Sequence, residues 1–326
     1  MRDAILRRWY GQPGWLRILW PLELIFIGVV RWRRMAYERG WIKRIKLPVP
    51  VIVVGNLSVG GNGKTPLVLA LAEHLQAAGW HPGIISRGYG SAVRSGYHEV
   101  KPEDDPVRVG DEPLLLARRS AVPVYIGPDR PQVAKALLQA HPLVNVLISD
   151  DGLQHYALDR DLDIVVMDAQ RRLGNGHLLP VGPLREPGYR LREFCVIYHG
   201  DEAPLHEFRM QLQSLAPVSL DEQYPWSARL KVAAFAGIGN PQRFFAGLRA
   251  QGYDVEEHAR PDHHRYSAED FAGLQLPVLM TEKDAVKCKG LAPAGSAFVP
   301  VVAMLPLAFW HHVEEVLNAG GKQHAR

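Results

Sequence analysis

Apolar and polar positions change period several times along this chain. Residues 49–54 read VPVIVV, a short apolar run of the kind a strand shows when both its faces are buried. The stretch LVLALAEHL predicts a helix over 66–78, which Pro66 can open because the first helical turn has spare N–H groups. Further apolar runs predict strands over 82–86, 122–126, 144–149 and 163–167, with helices over 113–119 and 132–140 between them. Strand and helix alternating in this way imply a mainly parallel sheet. Polar clusters follow the strands: SRGYG from Ser86, GPDR from Gly127, DDGLQH from Asp150, and Asp168. Open α/β sheets bind ligands outside the carboxyl ends of their strands, so these clusters point to one shared site.

The pattern weakens between residues 205 and 226. It resumes with VAAFAGIGNP from Val232, a strand and turn, then a helix over 242–250 and strands over 253–258 and 277–280. The expected organisation is an N-terminal segment over 1–46, a larger α/β domain over 47–226 and a smaller α/β domain over 227–326. The cleft between the two domains is a natural ligand site.

Charge singles out the N-terminus. Residues 1–46 hold eleven Lys/Arg against three acids, within a chain whose net charge is only +4, and five of the eight tryptophans. Between basic clusters lies the run ILWPLELIFIGVV from Ile18, shorter than the ~20 apolar residues of a membrane span and interrupted by Pro21 and Glu23. Apolar residues flanked by Trp and Arg suit a helix lying in a membrane interface. A helix docked on its own domain is the alternative reading, and the continuous aliphatic run speaks against a nucleic-acid arm. Two distant cysteines, Cys195 and Cys288, fit a reducing compartment and no zinc site.

The stretch SVGGNGKTP, from Ser58 to Pro66, joins the first strand to the first helix of the α/β pattern. Glycines let backbone amides converge on an anion, the helix N-terminus adds its dipole, a lysine reaches the β- and γ-phosphates, and a hydroxyl binds Mg²⁺. Ser58, Val59, Gly60, Gly61, Asn62, Gly63, Lys64 and Thr65 thus form a candidate ATP-phosphate loop, although the strict pattern has glycine where Ser58 stands. The fold class is therefore α/β, with a P-loop NTPase-like sheet. Asp150 and Asp151 end a strand where such enzymes keep their Mg²⁺-side acids, which with Thr65 makes a candidate metal set. Asp111 opens a helix, where a carboxylate also serves as a plain cap. His263 and His264 sit on a polar loop. TEKD from Thr281 has its lysine one place too late for the guanine-reading box of GTPases.

Together these segments resemble the tetraacyldisaccharide 4'-kinase family of lipid A biosynthesis. The resemblance rests on GNLSVGGNGKTP from Gly55, SRGYG from Ser86, GDEP from Gly110, DDGLQH from Asp150, GNG from Gly174 with GPLREP from Gly182, PDHH from Pro261 and TEKDAVK from Thr281. These motifs span nearly the whole chain in the family's order, and the family tolerates serine at the position of Ser58. The resemblance implies phosphoryl transfer from ATP, with Mg²⁺, to the 4'-hydroxyl of an acylated disaccharide 1-phosphate. It implies catalytic roles for Lys64 and for Asp111 paired with His263, and substrate contacts from Arg87, Asp151, His155 and Arg185. It implies a peripheral enzyme on the cytoplasmic face of the bacterial inner membrane, and no nucleic-acid partner. Two other classes fit the residues alone: a P-loop ATPase whose basic arm binds nucleic acid or a membrane partner, and a kinase acting on a soluble small molecule.

Overall fold

A computed structural model of the chain describes residues 2–60, 63–200, 202–204, 207–221 and 231–324. Gly61 and Asn62 of the glycine loop, and the expected domain boundary at 226–227, lie outside the described residues. The helices are α1 (Arg2–Trp9), α2 (Trp20–Glu38), α3 (Lys64–Ala77), α4 (Pro106–Val109), α5 (Asp111–Ser120), α6 (Arg130–Ala140), α7 (Pro241–Ala250), α8 (Glu282–Cys288) and α9 (Leu307–His324). The strands are β1 (Val51–Gly55), β2 (Pro82–Ser86), β3 (His98–Glu99), β4 (Val124–Ile126), β5 (Val146–Asp150), β6 (Leu162–Asp168) and β7 (Cys195–His199), followed by β8 (Phe208–Ser214), β9 (Val218–Ser219), β10 (Lys231–Ala236), β11 (Asp254–Ala259), β12 (Val278–Thr281), β13 (Ala297–Val299) and β14 (Val301–Met304).

Nine strands form one sheet in the order β14-β8-β7-β6-β1-β5-β2-β4-β3, and five form a second in the order β11-β10-β12-β13-β9. β1 lies between β5 and β6, parallel to both. Its alternation explains the layers. Ile52 and Val54 pack with Leu67 and Leu71 of α3 and Leu114 of α5, whereas Val51 and Val53 face Val133 and Leu137 of α6. Each such aliphatic side chain, removed from water, contributes about 1.5–3 kcal/mol. The second sheet repeats the scheme. Val232 and Ala234 pack against Phe245 and Leu248 of α7, and Phe235 faces Phe271 and Ala285.

Two stretches depart from the sequence pattern. β7 and β8 extend the large sheet within and just before the region where periodicity fades, because β8 buries only alternate residues of FRMQLQS along an outer position of the sheet. The chain then leaves the small sheet after β13, and Pro300 alone separates it from β14, which pairs antiparallel with β8. α9 packs on α3, where the His74 ring stacks on Trp310 at 4.2 Å and its Nε2 lies 2.8 Å from Glu314. Residues 301–324 therefore belong with the large sheet rather than with the smaller unit expected over 227–326.

The N-terminal segment is docked on the large unit along one side. Glu23 of α2 is 2% exposed and accepts the Leu178 N–H at 2.7 Å, with His177 Nδ1 at 3.0 Å from its other oxygen. The opposite side presents Trp15, Ile18, Trp20, Leu24, Ile25 and Trp32 to solvent. No helix among the described residues is long and apolar enough to cross a membrane.

Candidate active site

β1 delivers the chain to the glycine loop, and α3 begins at Lys64. Gly63 caps the helix at φ 86°, in the left-handed region that favours glycine. A Cβ at that position would also meet the Met210 methyl at 3.1 Å and the His199 ring at 3.4 Å. The Lys64 ammonium lies 3.3 Å from Asp151, which also pairs with Arg185 at 3.2 Å. Arg185 is brought there by a strap of residues 174–187 that runs beside the loop: the Arg185 N–H donates to Leu57 O at 2.7 Å, and the Val59 N–H donates to Pro183 O at 2.9 Å. Val59 thus spends its own N–H on the strap, and Ser58 bridges to Leu184.

Asp150 closes β5 inside the protein. Its carbonyl accepts from Arg130 Nη2 at 2.9 Å, and its Oδ2 accepts from Ser86 Oγ at 3.3 Å. Its Oδ1 is buried with no hydrogen-bond partner among the described residues. Burial, with Glu112 adding like charge, pushes the Asp150 carboxyl up to about 7. Burial would raise Asp151 as well, but Lys64 and Arg185 outweigh it and bring that carboxyl down to about 2.

A second cluster spans the two sheets. Asp111, in the first turn of α5, lies 3.0 Å from Nδ1 of His263, which sits at φ 62° on the loop after β11. Burial would raise the Asp111 carboxyl, yet the His263 hydrogen bond and Lys283 lower it to about 2. The same hydrogen bond raises His263 above its usual value. Lys283 of α8 reaches Glu112 at 2.8 Å and Asp262 at 3.0 Å, and Lys287 lies 3.6 Å from Asp111. Arg119 pairs with both oxygens of Glu282 at 2.7 Å. Further along the same edge, Arg243 of α7 binds Asp168 at 3.0 Å and His199 Nδ1 at 3.0 Å.

Both clusters open into one cleft of about 1070 Å³. Its wall includes Val59, Gly60, Gly63, Lys64, Thr65 and Arg87 and, from α2, Phe26, Val29, Val30 and Arg33. Asp150, Asp151, Arg185 and His263 line it too, and Asp111 meets it through His263. His155 is not part of the wall. Burial and then Arg130, Arg87 and Arg33 push its pKa down to about 4. Tyr89 lies within SRGYG, whereas Arg33 and Arg243 stand out only by proximity across separate segments. Lys283 carried a signal within TEKDAVK.

Mg²⁺ takes one or two carboxylates and completes its octahedron with phosphate oxygens and water. Asp150, with its unpartnered carboxylate oxygen, and Thr65 at the helix start fit that demand.

A glycine-capped lysine at the start of α3, acids at the end of β5 and a shared cleft make this a P-loop kinase fold. The chain belongs to the tetraacyldisaccharide-1-P 4'-kinase family, whose sequence profile matches residues 15–318. Tetraacyldisaccharide 4'-kinase of Azoarcus sp. is 50% identical over 327 residues, covering 96% of this chain and 95% of that protein. Its counterpart in Methylobacillus flagellatus is 47% identical over 310 residues, covering 93% and 92%. The crystal structure of LpxK from Aquifex aeolicus in complex with ATP superposes with a TM-score of 0.79 at 30% identity, covering 93% of this chain and 98% of that one.

Proposed function

We propose that this chain transfers the γ-phosphate of ATP to the 4'-hydroxyl of a tetraacyldisaccharide 1-phosphate, giving the 4'-phosphorylated lipid A precursor. The observation that carries this reading is the Asp111–His263 pair, held at 3.0 Å at the same cleft as Lys64 and the apolar face of α2. Lys64 and the amides at the start of α3 hold the β- and γ-phosphates. The 4'-oxygen attacks the γ-phosphorus as the bond to the β–γ bridging oxygen breaks, ADP leaves, and the hydroxyl proton passes to the Asp111–His263 pair. A loose transition state asks little of the base, so alignment and charge neutralisation dominate. Thr65, Asp150 and Asp151 would hold Mg²⁺, which supplies positive charge to the phosphates. Arg87 and Arg185 present cations to the acceptor's existing phosphate, and Phe26, Val29 and Val30 give its acyl chains an apolar wall.

Residues 1–46 place the enzyme at the cytoplasmic surface of the inner membrane without crossing it. The exposed Trp and aliphatic side chains of α2, flanked by arginines, support this reading.

The test is ATP consumption with and without the lipid disaccharide. Turnover should require the acceptor, and Lys64→Ala should remove most of it while the protein stays folded. Near-normal turnover by Lys64→Ala, or acceptor-independent hydrolysis at the full rate, would refute the assignment.

A further inference from the structure

We propose that Tyr10 is a positioning residue for the ATP phosphates, acting through the carbonyl of Val59 at the entry to the glycine loop. The inference rests on the reading of that loop as the ATP site. Tyr10 follows α1 directly, far from β1 in sequence, yet its hydroxyl donates to Val59 O at 3.2 Å. The Val59 N–H is already held by Pro183 O at 2.9 Å, so both backbone groups of this residue are fixed from outside the loop. A trans peptide is planar, with its C=O and the next N–H pointing opposite ways. Holding Val59 C=O toward Tyr10 therefore turns the Gly60 N–H away from α1. Gly60 lines the cleft and Tyr10 does not, so this aims the amide at the space the phosphates occupy. Gly60 then departs at φ 127°, a conformation open to glycine.

Tyr10 is itself held in place. The Arg171 guanidinium lies 5.0 Å from the centre of its ring, and the neighbouring Trp9 indole donates to Pro180 O at 3.1 Å. The Asn175 N–H donates to Trp9 O at 2.7 Å, and its side-chain amide donates to Arg8 O at 3.1 Å. Gly174 permits this approach, since a Cβ there would sit 2.5 Å from Trp9 O. Burial raises the phenol's pKa, so it remains a donor through the neutral range. The strap that receives α1 is the same one that supplies Pro183 and Arg185, so the end of α1 and the phosphate loop share one support.

The full-length Tyr10→Phe variant keeps the ring, its stacking under Arg171 and the Trp9 bonds, and loses the hydroxyl with its hydrogen bonds to Val59 O, Ser58 and Arg171. We expect its KM for ATP, and its Kd by calorimetry, to rise about 2- to 10-fold, the effect of losing a hydrogen-bonded anchor of the loop. KM for the lipid disaccharide should stay at the wild-type value. Equal proportional rises in both KM values would show a general structural role and overturn the proposal. Unchanged ATP affinity in Tyr10→Phe, beside lost ATP binding in Lys64→Ala, would overturn this proposal alone. Normal ATP binding by Lys64→Ala would overturn the ATP-loop reading and the proposal with it.

Discussion

Asp111 is a carboxylate whose partner comes from 152 residues away. Its ionised form is secured by His263 and Lys283, and His263 in turn leans on it, so on the proposed reading the two side chains act as one proton acceptor rather than two. Asp111→Asn and His263→Ala are each expected to reduce kcat by about 10²- to 10⁴-fold, the range of a general base. Acting as a unit, they predict a double variant little worse than either single one in steady-state assays. Multiplying losses would mean independent roles. Asp111 could be suspected from sequence, since GDEP opens a helix, but a cap explained it equally well. In the structure Gly110, at φ 91°, occupies the capping position, and Asp111 both accepts the Glu112 N–H at 3.0 Å and pairs with His263. The reverse holds at Val59, which the motif assigns to the phosphates and whose N–H is engaged by Pro183. A motif names loop residues without saying which backbone groups are already taken.

α2 has to satisfy two environments. Its inner side carries the buried Glu23, a first-turn acid that sequence alone reads as a flaw in an apolar run. Its outer side keeps Ile18 and Ile25 exposed, the former just before the helix starts. Ile18→Glu with Ile25→Glu should leave the melting temperature nearly unchanged and lower flotation with anionic liposomes. Wild-type binding should weaken in salt, since each Lys or Arg near an anionic surface contributes about 1 kcal/mol, while the apolar part persists. Undiminished flotation of the double variant would place the membrane contact elsewhere. Point substitutions suit this test better than removal of residues 1–46, because Glu23 leaving its site strands the Leu178 N–H at a cost of about 1–3 kcal/mol. The buried strands β1, β2 and β5 were legible as apolar runs. β8 was not, because a strand with only one strongly buried face and Arg and Gln on the other carries too weak a pattern to separate from a loop.

The two sheets are joined by ion pairs as well as by chain. Asp111, Glu112 and Arg119 lie on α5, and their partners His263, Lys283 and Glu282 lie on the smaller unit. Because Asp111 raises His263 above its unfolded value of about 6.5, the pairing contributes its full stability below that pH. The contribution is lost as pH rises through the raised folded value. His263→Gln should therefore lower the melting temperature more at pH 6 than at pH 9; an equal loss at both would detach stability from this pair. That a second unit existed was legible from its own strands and helix. Where it ended was not, since Pro300 gives no sign that the strands on either side of it enter different sheets. This crossing bears on how the protein is made. The large sheet takes β1 from residues 51–55 but one of its edge strands from 301–304, and α9 packs on the very helix that starts at Lys64. A ribosome releases residues 1–46 well before residues 301–324. On the proposed reading, the segment that seeks the membrane emerges long before the kinase core can close, a window in which a chaperone or the bilayer would shield it.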